Sequence, residues 1–304
     1  MATLDPVSDA SERLSPARIV SRFLLVPILV TAVCVAVFLM FGLLSYEPTS
    51  PHEYLREIKV RSGERRWEAA LGLSRLLENP RWQAAFSLSK QIAGNPEAGR
   101  DERLVREMIV VFEEARGQDP RIRRYLALAL GRLGNPLAAD PLLGAVVDED
   151  AETQIHSMWA LGALGEMRAV EPLTALLSHR DPGIRKMAAY TLGSLGEPRA
   201  AEPLFHALED DEVDVGWNAA IALSRLGDRR GVPVLLRLLD PASFGALETM
   251  SPQSRRETTL EAIRALASLR ERSALPALES LRDSSADLRI RQAAIEALAA
   301  LAAY

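Results

Sequence analysis

Residues 122–134 read IRRYLALALGRLG, and the same sentence returns three times further on: TQIHSMWALGALG at 153–165, IRKMAAYTLGSLG at 184–196 and VGWNAAIALSRLG at 215–227. The closing glycines, Gly134, Gly165, Gly196 and Gly227, fall 31 residues apart. A fixed period of this length marks a chain built from stacked helical units. Within each segment Ala and Leu recur at helical spacing up to a Leu-Gly pair, where glycine can take the left-handed conformation that ends a helix. A Pro-Leu pair then opens a second helix at Pro141, Pro172 and Pro203, seven residues after the glycine, and Pro233 takes the same place at a spacing of six. Asp119-Pro120 and Asp181-Pro182 read as N-cap and first-turn proline of the helices that run into the glycines. No such unit buries its apolar face alone, so neighbours must stack.

The pattern extends outward in both directions. Arg66-Trp67-Glu68-Ala69-Ala70 and Arg81-Trp82-Gln83-Ala84-Ala85 match the same helix template and define a divergent first unit. Leu269 takes the place of Leu226 at a distance of 43 residues, 12 more than the period, and the excess is DPASFGALETMSPQS at 240–254. The helix from Ile290 to Ala302 closes the array.

These units resemble bacterial HEAT-like repeats of the type found in phycobilin lyase subunits, and the engineered helical repeat scaffolds of that type, over roughly residue 65 to the C-terminus. The resemblance implies an all-α, right-handed α-solenoid of helix pairs and is poor in information about function. It also implies a concave binding face at the positions 10, 9, 6 and 2 before each glycine. Carried onto this chain, those are Trp82, Gln83, Phe86 and Lys90; Arg124, Tyr125, Leu128 and Arg132; Ile155, His156, Trp159 and Ala163; Lys186, Met187, Tyr190 and Ser194; and Trp217, Asn218, Ile221 and Arg225. Positions 8, 7, 5, 4 and 1 before the glycine are expected to face the stack. The face residues hold three of the four tryptophans, and their charges, Lys90, Arg124, Arg132, Lys186 and Arg225, are all basic. Aromatic and arginine side chains on one surface are the usual make-up of interface hot spots. The alternative is that Phe86, Trp159 and Tyr190 fill gaps between helices as ordinary core. The insertion supplies a second candidate contact in Phe244, Leu247 and Met250, or is simply a tolerated loop.

Ahead of the repeats, FLLVPILVTAVCVAVFLMFGLL at 23–44 carries no charge over 22 residues, long enough for a helix across a bilayer and too long for a signal-peptide core. Pro27 lies in its first turns, and Cys34, the single cysteine, reads as a small lipid-facing hydrophobe that excludes disulfides and multi-cysteine metal sites. The expected layout is a disordered tail at 1–18, a transmembrane helix at 19–45, a juxtamembrane linker at 46–63 and the solenoid at 64–304. Arg18 and Arg22 abut the span on one side and Tyr46 and Glu47 on the other, which orients the N-terminus to the cytoplasm and the solenoid outside.

The 304 residues carry 36 Lys and Arg against 41 Asp and Glu, a net charge of -5, which argues against nucleic acid as partner. Enzymes on HEAT-like folds offer three tests. A lyase is suggested by repeat type alone; the paired His-Glu motifs of deoxyhypusine hydroxylase-like proteins reduce here to His52-Glu53; and the alkyl-base DNA glycosylases are basic. No Ser-His-Asp order, HExxH or phosphate-cradling glycine loop occurs. The expected function is therefore a non-catalytic protein-protein interaction scaffold without cofactor or small-molecule substrate, an accessory subunit of a membrane complex with integral partners. The rival reading is a tethered adaptor that captures a soluble protein.

Overall fold

The computed structural model describes residues 50–60, 80–93, 99–244 and 250–302, all within one compact unit, Ser50–Tyr304, while the unit Met1–Thr49 lies outside the described residues. The described elements are α-helices and 3-10 turns. Helices α1 (Pro51–Val60), α2 (Pro80–Ala93) and α3 (Glu102–Glu114) precede the regular array. Each regular unit then has a leading helix, namely α4 (Pro120–Leu133), α6 (Ala151–Leu164), α8 (Pro182–Leu195), α10 (Val213–Arg225) and α12 (Pro252–Ser268). Each is followed by a trailing helix: α5 (Ala139–Gly144), α7 (Val170–Leu176), α9 (Ala201–His206), α11 (Val232–Arg237) and α13 (Leu275–Ser284). A last leading helix, α14 (Leu288–Ala302), follows. The chain is thus an all-α repeat solenoid among the described residues.

The boundaries follow from local chemistry. Asp119, Asp150 and Asp181 accept hydrogen bonds from the first backbone N–H groups of α4, α6 and α8, which have no intrahelical partner. At the other end Gly134, Gly165, Gly196 and Gly227 sit at φ 64°, 67°, 71° and 76°. In the unit with the insertion the same place is held by Arg270 at φ 53°, where a Cβ is sterically costly. Arg270→Gly is expected to raise stability by about 1 kcal/mol, read as the shift in urea midpoint. An unchanged or lower midpoint would show that the arginine side chain offsets its backbone strain.

Leading helices stack in one row, α2 on α4, α4 on α6, α6 on α8, α8 on α10, α10 on α12 and α12 on α14. The row is held by the positions 8, 7, 5 and 4 before the glycine: Leu126, Ala127, Ala129, Leu130 in α4, Ala188, Ala189, Leu192 in α8 and their counterparts in α6 and α10 are buried to within 1%. Each such leucine contributes about 1.5–3 kcal/mol of burial. Three places before the glycine, small residues set the gap. A Cβ on Gly131 would lie 2.6 Å from Ala160 Cβ, and one on Gly193 would lie 2.6 Å from both Ala222 Cα and Cβ. Gly162 holds the same register, which then passes to Ser224, Ala267 and Ala299. At the N-terminal side α1 lies on α2 and α3, and its Leu55 is fully buried.

The expectation of a single-pass membrane protein is corrected here. No helix among the described residues is long and apolar enough to cross a membrane. The longest of them, α12, has 17 residues and carries Arg255, Arg256, Glu257, Glu261 and Arg264; at about 1.5 Å per residue it falls short of a ~30 Å hydrocarbon core. The stretch 23–44, on which the bilayer contact, the integral partners and the cytoplasmic N-terminus all rested, lies outside the described residues, as do residues 61–79 with Trp67.

Candidate protein-binding face

The register that buries one side of each leading helix leaves another accessible. Arg124, Tyr125, Leu128, Ile155, His156, Trp159, Lys186, Met187, Trp217, Asn218 and Ile221 are partly exposed, and Lys90, Arg132, Ala163, Tyr190, Ser194 and Arg225 are exposed. Tyr125, Ile155, Trp159 and Met187 rest with one edge on the core, so the aromatic residues are half packing and half surface. Phe86 joins them on α2, with its ring centroid 5.0 Å from that of Tyr125 and the Lys90 ammonium 4.3 Å above it. The side chains of Trp82 and Gln83 lie outside the described residues.

The basic character expected of the face is largely cancelled by carboxylates from the next unit. Arg124 Nη2 meets Asp150 at 2.5 Å and Nη1 meets Glu152 at 2.6 Å. Lys186 Nζ is 2.8 Å from Asp214, and Arg225 is 3.5 Å from Glu261 while lying over the Tyr190 ring at 5.2 Å. Arg132 donates to the backbone carbonyl of Ser89 at 2.8 Å. The face is therefore aromatic and zwitterionic. Asp150 carries two duties, capping α6 and pairing with Arg124, and the Arg124 hydrogen bond is the main reason its carboxyl is held down to about 2 from the ordinary 3.8. A carboxyl depressed in the folded state stabilises above its unfolded pKa and loses that contribution as pH falls through the folded one. Stability is thus expected to drop between about pH 4 and pH 2, and Asp150→Asn to flatten that limb in acid-unfolding curves. An identical acid limb in the variant would assign it elsewhere.

His156 differs from its neighbours. Burial is the largest influence on it and pulls its imidazole below the ordinary 6.5. Its Nδ1 is buried without a hydrogen-bond partner among the described residues. No group of three His, Cys, Asp or Glu that could hold a metal occurs among the described residues.

Between α8, α10 and α12 the face deepens into a groove of about 490 Å³, lined by Tyr190, Trp217, Ile221 and Met250 with Lys186, Asp214, Arg225, Glu257 and Glu261 around them. Met250 from the insertion meets the face in this groove. The side chain of Phe244 and all of Leu247 lie outside the described residues. Asp214, Glu257 and Glu261 were not anticipated from sequence. Continuing the register past the insertion would have placed Glu261 nine residues before Arg270, a face position.

The fold and this face define an α-helical repeat array with an accessible row of variable positions. A family model for HEAT repeats matches residues 110–180, 145–216 and 170–246. Residues 110–246 thus carry HEAT-like repeats. The chain is similar in structure to the complex of CpcE and CpcF of phycocyanin lyase from Nostoc sp. PCC7120, at 18% identity and a TM-score of 0.54, covering 84% of this chain and 96% of that one. It is also similar to the archaeal HEAT-like repeats protein from Thermococcus onnurineus NA1, at 14% identity and a TM-score of 0.44, covering 85% and 99%. The first of these likenesses shows a shared fold. No curated protein matches the sequence.

Proposed function

We propose that the chain is a non-catalytic scaffold that holds a protein partner along the variable face of its leading helices. The observation that carries this reading is the aromatic row Phe86, Tyr125, Trp159, Tyr190 and Trp217, kept accessible on helices whose adjacent positions are buried, and ending in the groove around Trp217. Rigid rings with pre-formed ion pairs around them offer contact area at small entropic cost, which is how protein interfaces concentrate their binding energy. The partner is a stable companion in an assembly; a transient client is the second form of the same role.

The test is affinity capture with the tagged chain and its Trp159→Ala/Tyr190→Ala variant, each truncation costing about 2 kcal/mol at a hot spot. Loss of the same specific partner with a helical melting curve within a few degrees of wild type is expected. Undiminished capture would overturn the reading. A collapse of the melting curve would assign the two rings to the core instead.

A further inference from the structure

The last leading helix breaks the pattern of burial that holds everywhere else. Ile295 stands seven residues before Ala302, the place of the cap glycine. At that register Ala127, Met158, Ala189, Ala220 and Ile263 are at most 1% exposed, yet Ile295 is 42% exposed. Ala299 holds the close-approach register of Gly131 and Gly193 and is also exposed. Leu288 is 72% exposed. Here α14 keeps the apolar residues of an internal unit, and no further helix among the described residues lies over them.

The exposed positions are not scattered. Leu288, Gln292, Ile295, Ala299 and Ala302 follow one another at intervals of 4, 3, 4 and 3 residues, the seam spacing of a helix that packs on another helix. One glutamine interrupts an otherwise apolar seam, its Nε2 donating to Glu296 of the same helix at 2.8 Å. On the same flank of that seam lie Arg289 and Glu296, both exposed. An antiparallel copy of α14 would set Leu288 against Ala299 of the second copy and Gln292 against its Ile295, and would bring Arg289 of each helix beside Glu296 of the other. A parallel copy would leave Arg289 and Glu296 of the two helices on opposite flanks of the seam, where they could not pair.

We infer that α14 is a self-association surface, on which a second copy of this chain docks its own α14 antiparallel across a two-fold axis. The surface is isologous, so each contact occurs twice. It uses none of the aromatic residues, although Gln292 and Glu296 stand at the variable-face positions 10 and 6 before Ala302, so the two readings are tested by different variants.

The experiment uses the full chain in two differently tagged forms, mixed and assayed for co-capture and for mass by sedimentation equilibrium. Wild type is expected to dimerise, and Ile295→Glu to weaken the dimer at least tenfold with an unchanged helical spectrum. Arg289→Glu and Glu296→Arg are each expected to weaken it several-fold, and the two together in one chain to restore it. Trp159→Ala/Tyr190→Ala should leave it unchanged. A wild type whose two forms do not associate, an association indifferent to Ile295→Glu, or a charge-reversal double variant no better than the singles would each overturn the proposal.

Discussion

Arg123→Ala is expected to cost about 3–5 kcal/mol, the range for breaking one side of a buried ion pair. Arg123 is 2% exposed. Its guanidinium lies 4.1 Å above the Phe112 ring, donates through Nη1 to the Phe112 carbonyl at 2.6 Å, and through Nε to Asp148 at 3.1 Å. Nη2 is 2.9 Å from the same Asp148 oxygen, a charge contact off the line that a hydrogen bond needs. Removing the arginine leaves Asp148, itself only 11% exposed, without its counter-charge. It also cuts the tie between α3 and α4. The measurement is a urea or thermal melt followed at 222 nm. Because each unit contacts only its neighbours, the loss is expected as an early transition of the N-terminal part rather than a uniform shift. Adding Asp148→Asn should recover part of the loss, since the stranded charge is then gone. An Arg123→Ala curve superposable on wild type would show that the pair contributes nothing net. Arg185 and Asp210 repeat the arrangement two units on, with both guanidinium contacts at 2.7 Å, so the same substitution there provides an internal comparison.

Gly193→Ala and Gly144→Ala are expected to move stability in opposite directions, although the chemical change is identical. At Gly193 the new methyl would sit 2.6 Å from the backbone of α10, so the helices must part and the core between them must loosen, at about 1–3 kcal/mol. Gly144 has helical φ -63° and ψ -24°, and nothing lies within 4 Å of its Cβ position. There alanine only removes freedom from the unfolded chain and should add about 0.4–1 kcal/mol. Parallel melts of the two variants decide this: two shifts of the same sign would mean that helix propensity, and not the spacing of α8 and α10, governs both sites.

The 31-residue period made the partition of each leading helix legible, because burial in a stacked array depends only on register. Leu126, Ala127, Ala129 and Leu130 could be assigned inward, and Arg124, Tyr125 and Leu128 outward, from spacing alone. The Asp-Pro steps and glycines marked helix ends for equally local reasons. The charge balance of the face was not legible. Arg124 meets Asp150 across 26 residues and Lys186 meets Asp214 across 28, so each pair joins the outward position of one unit to the first turn of the next. Read along the chain, those acids are turn and capping residues, and only stacking brings them to the cations. Leu55 was illegible for a related reason: PHEYLREIKV is charged and off the period, and only the lie of α1 against α2 and α3 makes its leucine core.

The residue three places before each cap behaves as a shim between successive plates. It is glycine in α4, α6 and α8, and the plates there nearly touch. It is serine at Ser89 and Ser224 and alanine at Ala267, and two open grooves, about 490 Å³ beside Trp217 and about 650 Å³ between α12 and α14, lie in the later part of the row. The stretch from α4 to α10 is consequently the closely set part of the row, where an added side chain must displace a neighbouring helix instead of filling space.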